Sequence, residues 1–496
     1  MRKYIEAFLL SPIYPVLLSA YPISILYSSN LSQISSLVLF RPLLLSILAS
    51  ILLFLAMRFI FREWHKAAFV AALVILFLST YGHIEIFLDS KKVQEPSVYI
   101  FIGWLTISVF FVFLNRKFKN RFDFSSIAPS MNLMIIILLL YPIAKTIQYN
   151  IAKANVYSSQ TESFNQSDFS QLDTLPDIYY IIPDQYGRSD VLEEVYAYDN
   201  SEFIDALEEL GFYVAKCSQS NYPITTLSLA STLNMDYIPE LDEDVKLDGR
   251  EAFYLYAALE NNSLKQILES AGYKTVAFAN GFSWLEMKNT DIFLSPPPGS
   301  INEFEVMFLE TTFIRFFDNL EFVDLENIRA ERYRERTRLV FDSFSDLATM
   351  SGPKFAFIHI IAPHGPYGFD ANGNSISPDQ VSERDGYVNQ ATYVNKKIIE
   401  SVKILLDQSD TPPIIIIQGD HGPWVPRPDL RVGILNAYYL PEHTDSLYPT
   451  ISPVNTFRLI LNEYFGEDYE LLADNSYNIR APSIYNFYPV ENNCGK

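Results

Sequence analysis

The sequence predicts a membrane-anchored α/β protein: an N-terminal bundle of about five transmembrane helices, followed by a mostly parallel sheet sandwiched by helices. Five apolar stretches lie within the first 150 residues. Beyond residue 176, short apolar runs alternate with helical patterns, which favours parallel strands joined by helices. Several of these runs are followed by carboxylates or imidazoles, and ligands of such sheets bind where the strands end.

The first 150 residues form the predicted transmembrane domain. A helix needs about 20 apolar residues to cross a bilayer core, and most of the stretches approach that length. The first is too long and too interrupted by proline for a simple signal peptide, and four others follow it. The stretches run near Ala7–Tyr27, Leu37–Met57, Ala67–Leu88, Val98–Leu114 and Met131–Ile147.

The basic residues of the short loops predict the orientation of these spans. With the N-terminal tail inside, nine Lys and Arg residues lie on the inner side and two on the outer side. We therefore expect a multi-pass protein of the cell membrane, typical of a bacterial inner membrane, with an extracytoplasmic catalytic domain. Arg41, His83 and Glu85 fall in or near the spans, and we expect their side chains to reach the interface.

The rest of the chain is strongly acidic. Residues 1–150 carry 13 basic and 6 acidic residues, whereas the remainder carries 24 basic and 52 acidic residues, a net charge of −28. This balance excludes nucleic acid as a partner, and an anionic substrate requires bound cations that reverse the local charge. Two cysteines, Cys217 and Cys494, do not indicate a disulfide framework, although one pair could form outside the cell.

Composition divides the chain further. Residues 151–176 are rich in Ser, Gln, Asn and Asp and predict a linker. Residues 177–470 form the predicted catalytic domain, and 471–496 form a C-terminal tail. The predicted strands are Asp177–Pro183, Lys274–Ala279, Lys354–Ile361 and Ile414–Ile417, and the predicted helices are Ser201–Leu210, Ser263–Ala271, Val394–Asp407 and Ile451–Tyr464.

Three strands are followed by candidate metal or substrate ligands. Asp184 follows the first strand, and the Asp420–His421 pair follows the strand of four isoleucines. His364 follows the third of these strands, which itself contains His359. Oxygen and imidazole ligands together suit Mg, Mn or Zn. Taken singly, Asp184 would be a turn residue and His359 a core histidine, so the prediction depends on their joint occurrence at strand ends.

A candidate nucleophile lies at a predicted helix start near Thr225. A hydroxyl there meets oriented N–H groups and a dipole that favours anions. A neighbouring metal ion can lower its pKa and make it nucleophilic. The simpler alternative is that Thr225 or Thr226 only caps the helix.

These segments and their order along the chain resemble those of the alkaline-phosphatase/sulfatase superfamily, over roughly residues 176–465. Asp184 matches the family's first metal ligand, and Asp420 and His421 match its Asp-His-Gly metal pair. The Ala-Ser-Thr-Leu run at 230–233 is similar to the family's helix pattern, and counting back places the nucleophile at Thr225. The Ala-Pro-His-Gly-Pro run at 362–366 looks like the sulfatase substrate-binding histidine motif, carried here by His364.

Departures from the family pattern indicate a subclass. The stretch from Thr225 to Leu229 lacks the Cys/Ser-x-Pro-x-Arg signature from which formylglycine forms, so true sulfatase activity is not expected. No clear Asp-x-x-x-His motif for a second metal ion is present. A threonine nucleophile, one metal ion and a multi-span anchor look most like lipoteichoic-acid synthases and phosphoethanolamine transferases.

The resemblance implies a transferase that moves phosphoglycerol or phosphoethanolamine from a membrane lipid to an envelope glycan or lipid through a phospho-threonine intermediate. It implies a divalent metal ion, with Mn, Mg, Zn and Ca all compatible, held by Asp184, Thr225, Asp420 and His421. His364 would bind substrate or protonate the leaving group, with His359 and Thr226 as further substrate contacts. Two alternatives remain open: a phosphodiesterase, phosphatase or sulfuric-ester hydrolase, and a non-catalytic binding protein. The sequence does not define the oligomeric state.

Overall fold

The computed structural model describes residues 2–117, 123–159, 175–241, 252–297 and 301–495. The chain divides into two compact units. One, the helical unit, comprises Met1–Ala152 together with Gly299–Arg329. The other, the sheet unit, comprises Lys153–Pro298 and Ala330–Lys496. The predicted catalytic domain is therefore interrupted, because 31 of its residues belong with the N-terminal helices.

The helical unit contains three helices that are long and apolar enough to cross a membrane, or four if a pair bent by 86° counts as one span. The predicted fourth span lies in a helix whose apolar stretch is shorter. The helices of the unit are α1 (Arg2–Leu10), α2 (Tyr14–Ser29), α3 (Phe40–Phe61), α4 (Trp64–Ser90), α5 (Pro96–Lys117), α6 (Ala128–Ser159), α13 (Glu303–Glu310) and α14 (Ile314–Asn319).

Helices run through all five predicted apolar stretches, although the first stretch is divided between α1 and α2 and the helix ends differ from the predicted ones. The last one, α6, continues to Ser159 and so enters the segment 151–176 for which the sequence predicts a linker. Residues 160–174 of that segment lie outside the described residues. The polar residues after Ile147 lack the Gly or Pro signals that would end a helix, so the helix continues beyond the point where the hydropathy falls.

The sheet unit is an α/β sandwich. Its strands are β1 (Ile178–Pro183), β2 (Tyr213–Val214), β3 (Lys274–Phe278), β4 (Ile292–Leu294), β5 (Lys354–Ile360), β6 (Ile414–Gln418), β7 (Asn436–Tyr439), β8 (Ser476–Ile479) and β9 (Phe487–Val490). Its helices are α7 (Ser189–Tyr196), α8 (Ser201–Glu209), α9 (Thr225–Asn234), α10 (Ile238–Leu241), α11 (Phe253–Glu260), α12 (Ser263–Ser270), α15 (Leu325–Asp342, grouped partly with the helical unit), α16 (Phe344–Thr349), α17 (Glu383–Gln408), α18 (Pro428–Val432) and α19 (Pro453–Phe465).

Among the described residues, seven strands form one sheet in the order β2-β7-β6-β1-β5-β3-β4. The central strand β1 pairs in parallel with both β5 and β6, whereas β7 is antiparallel to β6 and β2 is antiparallel to β7. The carboxyl ends of β1, β5 and β6 therefore meet at one edge. The mostly parallel sheet predicted from the sequence is confirmed.

Side chains of alternate residues fill two separate cores. On β1, Ile178 and Tyr180 pack into one core and Tyr179 and Ile181 into the other. The first core includes buried residues of α9, α12 and α19, and the second includes residues of α8, α16 and α17. Both faces of the sheet are thus covered by helices, which explains why β1 and β6 are continuous apolar runs.

The predicted tail at 471–496 contains ordered structure. Strands β8 and β9 pair as an antiparallel hairpin, and Tyr477 and Phe487 pack against the first core. Cys494 forms a disulfide with Cys217 across a sequence separation of 277 residues. The pairing that the sequence left open is therefore present, and it ties the tail to the loop that precedes α9.

Candidate active site

Asp184 lies directly after β1 and is buried. Its backbone N–H donates to the carbonyl oxygen of Ile360 on β5 over 2.9 Å. The next residue, Gln185, has a φ of +65°, a left-handed conformation that residues with a Cβ seldom adopt. In this conformation its N–H donates to Oδ1 of Asp420 over 2.8 Å. A strained residue thus links the two acidic strand ends, as is common at functional sites.

The turn after β6 holds Asp420 and His421 between two glycines. A Cβ on Gly419 would lie 2.4 Å from the carbonyl oxygen of Tyr186, and one on Gly422 would lie 2.4 Å from that of Leu430. Both positions therefore require glycine because other backbone approaches too closely. The Nδ1 of His421 bonds to the carbonyl oxygen of Gly422 over 2.7 Å. That carbonyl only accepts, so Nδ1 carries a proton and Nε2 is the ring nitrogen left for another ligand.

Thr225 is the first residue of α9. Ile224 is the N-cap, and no side chain caps this helix. The capping alternative is therefore not supported by the structure. Oγ1 of Thr225 lies instead 3.4 Å from Nε2 of His421. Thr226 lies beside it and is half-buried. The helix start gives a developing negative charge on Thr225 a favourable dipole.

Two buried carboxylate oxygens define a candidate cation site. Oδ1 of Asp184 and Oδ2 of Asp420 accept no hydrogen bond from the described residues. Oδ2 of Asp420 also lies 3.5 Å from Nε2 of His421, so a carboxylate oxygen and an imidazole lone pair face each other. Burying a carboxylate oxygen without a partner raises the free energy of the folded state. The chemistry of this donor set fits a divalent metal ion.

His359 is buried and bonded at both ring nitrogens. The amide nitrogen of Asn280 lies 3.0 Å from Nδ1, and Nε2 lies 3.0 Å from Oδ2 of Asp184. Oδ1 of Asn280 accepts from the N–H of Phe282, so its NH₂ group faces the ring and Nε2 of His359 is the donor to Asp184. This arrangement favours a positioning role over the substrate contact suggested by the sequence.

Geometry alone would also permit His359 to bind a cation directly. Asp184, His359 and Asp420 each offer a ligand atom, and these atoms all lie within 4.8 Å of one another. His421 is nevertheless the better third ligand, because its Nδ1 donates to a carbonyl and leaves Nε2 for a cation, whereas Nε2 of His359 is committed to Asp184.

The ionised form of Asp184 is favoured by its surroundings. Burial is the largest influence on its pKa and would raise it, but the hydrogen bond from His359 and the charges of His364, His359 and His421 together lower the pKa to about 2. Asp184 is therefore a carboxylate at neutral pH and is able to bind a cation.

His364 enters the same region from the loop after β5. Its backbone N–H donates to the carbonyl oxygen of Asp184 over 3.3 Å. Its Nδ1 bonds to the carbonyl oxygen of Gly365 over 2.5 Å, which leaves Nε2 for another partner. Its half-buried ring is therefore suited to contact a bound substrate.

The structure thus brings together six of the seven residues that the sequence singled out as site candidates: Asp184, Thr225, His359, His364, Asp420 and His421. Thr226 is placed beside them only by its position after Thr225 in α9. Asn280 was missed. It follows β3 by two residues, so the strand-end rule that identified Asp184 would also have identified Asn280. The backbone N–H of Gln185 could not be anticipated, because its role depends on a left-handed conformation that the side chain does not favour.

A parallel α/β sheet with two acidic strand ends and a hydroxyl at a facing helix start defines a class of metal-assisted ester-cleaving or ester-transferring enzymes. A family model described as Sulfatase matches residues 176–450. The match covers more than half of the chain, which therefore belongs to the sulfatase family and is an enzyme of the alkaline-phosphatase/sulfatase superfamily. A search of curated proteins found no significant match.

Several solved structures resemble the chain at low identity. The periplasmic domain of EcEptC from Escherichia coli, solved with Zn, is 12% identical over 64% of this chain and 94% of that chain, with a TM-score of 0.44. The integral membrane lipooligosaccharide phosphoethanolamine transferase A from Neisseria meningitidis is 12% identical over 91% of this chain and 95% of that chain, with a TM-score of 0.41. The 2-O GAG sulfatase BT1596 is 14% identical over 60% and 72%, with a TM-score of 0.35.

Proposed function

We propose that this protein transfers a phospho-alcohol group, of the phosphoethanolamine or phosphoglycerol type, from a membrane lipid to an acceptor in the cell envelope. The observation that supports this most directly is the position of Thr225, whose Oγ1 lies 3.4 Å from Nε2 of His421 at the start of α9. The chain lacks the signature for formylglycine and has apolar helices that would hold it beside a lipid donor.

Asp184, Asp420 and His421 would hold one divalent metal ion, with Thr225 as a further ligand. Such an ion neutralises the negative charge of a phosphodiester and lowers the pKa of a neighbouring hydroxyl. Four candidates, Mn, Mg, Zn and Ca, suit one or more of these ligands. The part of the chain after residue 150 has a net charge of −28, so an anionic substrate bound there needs this positive charge.

Before the first step, the hydroxyl proton of Thr225 would pass to solvent, because a bound cation lowers the pKa of the hydroxyl. Oγ1, as the alkoxide, then forms a bond to the phosphorus atom of the lipid phosphodiester. The bond from phosphorus to the lipid oxygen breaks, and the leaving oxygen takes a proton from Nε2 of His364. His359 and Asn280 do not touch the substrate in this scheme; they keep Asp184 ionised and oriented. The helix start at α9 stabilises the charge that develops on the phosphoryl oxygens.

In the second step an acceptor hydroxyl attacks the phospho-threonine. Nε2 of His364 takes the hydroxyl proton, and the bond between phosphorus and Oγ1 of Thr225 breaks, which returns Thr225 as the alkoxide. Thr226 is a further substrate contact. The basic loop residues of the helical unit support an orientation in which this reaction occurs outside the cytoplasm, at a bacterial inner membrane.

Membership of the sulfatase family favours one other candidate, hydrolysis of a phosphate or sulfate ester with water as acceptor. The two are distinguished by full-length protein in nanodiscs with ethanolamine-labelled or glycerol-labelled phospholipid. We expect the label on an envelope glycan or lipid acceptor, whereas a hydrolase would release it as a free product. A purified protein that binds metal but leaves every labelled lipid intact would indicate a non-catalytic role.

The nucleophile is tested by Thr225→Ala, with Thr226→Ala as the matched neighbour. Thr225→Ala should lower turnover by roughly 10³-fold or more and abolish a phospho-alcohol adduct that mass spectrometry detects on the peptide containing residue 225. Thr226→Ala should keep the adduct. Wild-type turnover in a folded Thr225→Ala variant would overturn the assignment.

A further inference from the structure

A segment of the chain between β4 and α15 belongs to the helical unit rather than to the sheet unit. Residues Gly299–Arg329 group with the N-terminal helices, and they include α13 and α14. Their apolar side chains include Phe304, which is buried in a cluster with Ile23 and Tyr27 of α2. We call residues 301–322 the inserted segment.

The backbone of the inserted segment is hydrogen-bonded directly into α4. The N–H of Gly82 donates to the carbonyl oxygen of Thr311 over 3.1 Å, and the N–H of Phe313 donates to that of Leu78 over 2.8 Å. Leu78 and Gly82 are four residues apart, so these are the groups that pair with each other in a regular helix. A Cβ on Gly82 would lie 2.1 Å from the carbonyl oxygen of Glu310. Glycine is therefore required for this close contact.

Ion pairs neutralise charges of the apolar helices. Arg41 of α3 pairs with Glu305, and Glu85 of α4 pairs with Arg315 over 3.1 Å. Glu85 also accepts from Ser97 over 2.7 Å and is only 1% exposed. A partner from a distant part of the chain makes this burial possible. The expectation that the Glu85 side chain reaches the interface stays a prediction.

A cavity of about 320 Å³ lies between α2, α3, α4 and the inserted segment. Four serines contribute to its lining, and each hydroxyl donates to a backbone carbonyl: Ser19 to Val16, Ser46 to Ser19, Ser50 to Pro15 and Ser79 to Leu76. Because each serine hydroxyl already donates a hydrogen bond within the protein, a ligand in the cavity need not supply an acceptor. The small serine side chains provide the space, while neighbours such as Leu53 and Phe313 provide apolar walls. We call this cavity the serine cleft.

The serine cleft lies at the depth of hydrocarbon. Ser46 is ten residues from the start of the span Ser36–Phe61, and Ser79 is eleven residues from the end of the span Trp64–Ser90. At a rise of 1.5 Å per residue, both serines lie about 15 Å from the same end of this helical pair. Spans of 26 and 27 residues are about 40 Å long and a bilayer core is about 30 Å thick, so the cleft lies within the hydrocarbon core.

We propose that the serine cleft binds one acyl chain of a glycerophospholipid. The proposal rests on the proposed function for one point only, namely that this lipid is the donor. The serine hydroxyls already have hydrogen-bond partners and the remaining walls are apolar, so the cleft suits a hydrocarbon ligand. In a bilayer, the acyl chains of lipids supply such a ligand. In sequence, the inserted segment lies between β4 and α15 of the predicted catalytic domain. The acyl chain would therefore contact a segment that is covalently continuous with that domain.

The test uses full-length protein in nanodiscs that contain phosphatidylethanolamine with a photoactivatable group midway along one acyl chain. We expect adducts on peptides that contain Ser50 and Phe313. Ala49 lines the cleft and is exposed, so Ala49→Phe should fill the cleft without displacing packed side chains. It should reduce these adducts by roughly tenfold. Leu48→Phe is the matched control, because Leu48 is adjacent, 47% exposed and outside the lining.

A second variant, Gly82→Val, should displace the inserted segment and remove adducts on Phe313 while leaving the total helix content, measured by circular dichroism, close to that of the wild type. Equal labelling in Ala49→Phe and Leu48→Phe, or adducts confined to the outward faces of the helices, would overturn the proposal. Labelling in the cleft without any transfer of the lipid head group would support the lipid site and count against the proposed function. The two claims can therefore fail separately.

Discussion

Nε2 of His359 donates to Oδ2 of Asp184 over 3.0 Å, and Asn280 holds the opposite ring nitrogen over 3.0 Å. This series of hydrogen bonds joins three strands at one edge of the sheet. Asn280 lies in the loop after β3, His359 in β5, and Asp184 in the loop after β1. It leaves Oδ1 of Asp184 as the carboxylate oxygen without a partner among the described residues. One oxygen of Asp184 is thus used for orientation, and the other remains for a cation.

This relationship predicts the effect of Asn280→Ala. Without the amide, the imidazole of His359 can rotate or change tautomer, so we expect metal affinity or turnover to fall by about 10- to 100-fold, as for other residues that support metal ligands. The KM for lipid should change little, because Asn280 is not expected to touch the substrate. Metal titration and kcat measurements test this.

Asn289→Ala is the control for that variant, since Asn289 is exposed and lies on the same connection between β3 and β4. Asn280 also accepts from the N–H of Phe282, so some loss of stability, about 1 kcal/mol, is expected in any case. Normal metal affinity and kcat together with reduced stability would show that Asn280 is only structural.

Removal of divalent metal ions should destabilise the protein. Chelation leaves the buried carboxylates of Asp184 and Asp420 uncompensated, whereas a metal ion present at a hundred times its Kd adds about 2.7 kcal/mol to the free energy of unfolding. We expect a chelator to lower the Tm by several degrees and added metal ions to restore it. Thermal unfolding of full-length protein, followed by fluorescence, measures both.

The double variant Asp184→Asn/Asp420→Asn should lose this response to metal ions. Asp346→Asn is a suitable control, because Asp346 is exposed in the first turn of α16. If chelation leaves the Tm of the wild type unchanged, or if the double variant still responds, the metal ion binds elsewhere.

The disulfide between Cys217 and Cys494 should contribute substantially to stability. It closes a loop across 277 positions, and loss of such a constraint typically costs about 2–4 kcal/mol through the entropy of the unfolded chain. Cys217→Ser/Cys494→Ser should therefore unfold at a lower temperature than the oxidised wild type. Addition of a reductant should bring the wild type close to the variant and leave the variant unaffected. A wild type insensitive to reductant would contradict this.

The parts of the site that could be predicted depend on local patterns. Continuous apolar strands identify β1, β5 and β6, and parallel pairing then brings Asp184, His364 and Asp420 to one edge. Gly419 and Gly422 also fit this pattern, because the turn between them must pass close to other backbone. The fold class and the site candidates follow from these short segments.

The parts that could not be predicted depend on partners far apart in sequence. Nothing near Glu305 or Arg315 indicates that their partners are Arg41 and Glu85 in the N-terminal helices. The inserted segment is short and mixes charges with aromatic residues, so its pattern is also compatible with a soluble domain. The pairing of Cys217 with Cys494 likewise depends on tertiary structure.

The inserted segment has a practical consequence for anyone who wishes to produce the enzymatic half alone. A fragment that begins after residue 174 would retain residues 301–322 but lose α2, α3 and α4. Phe304 and Phe313 would then face water, in addition to Phe322, which is already 78% exposed. Such a fragment would tend to aggregate. Replacing residues 301–322 with a short polar loop, rather than only trimming the N-terminus, is the route to a soluble preparation.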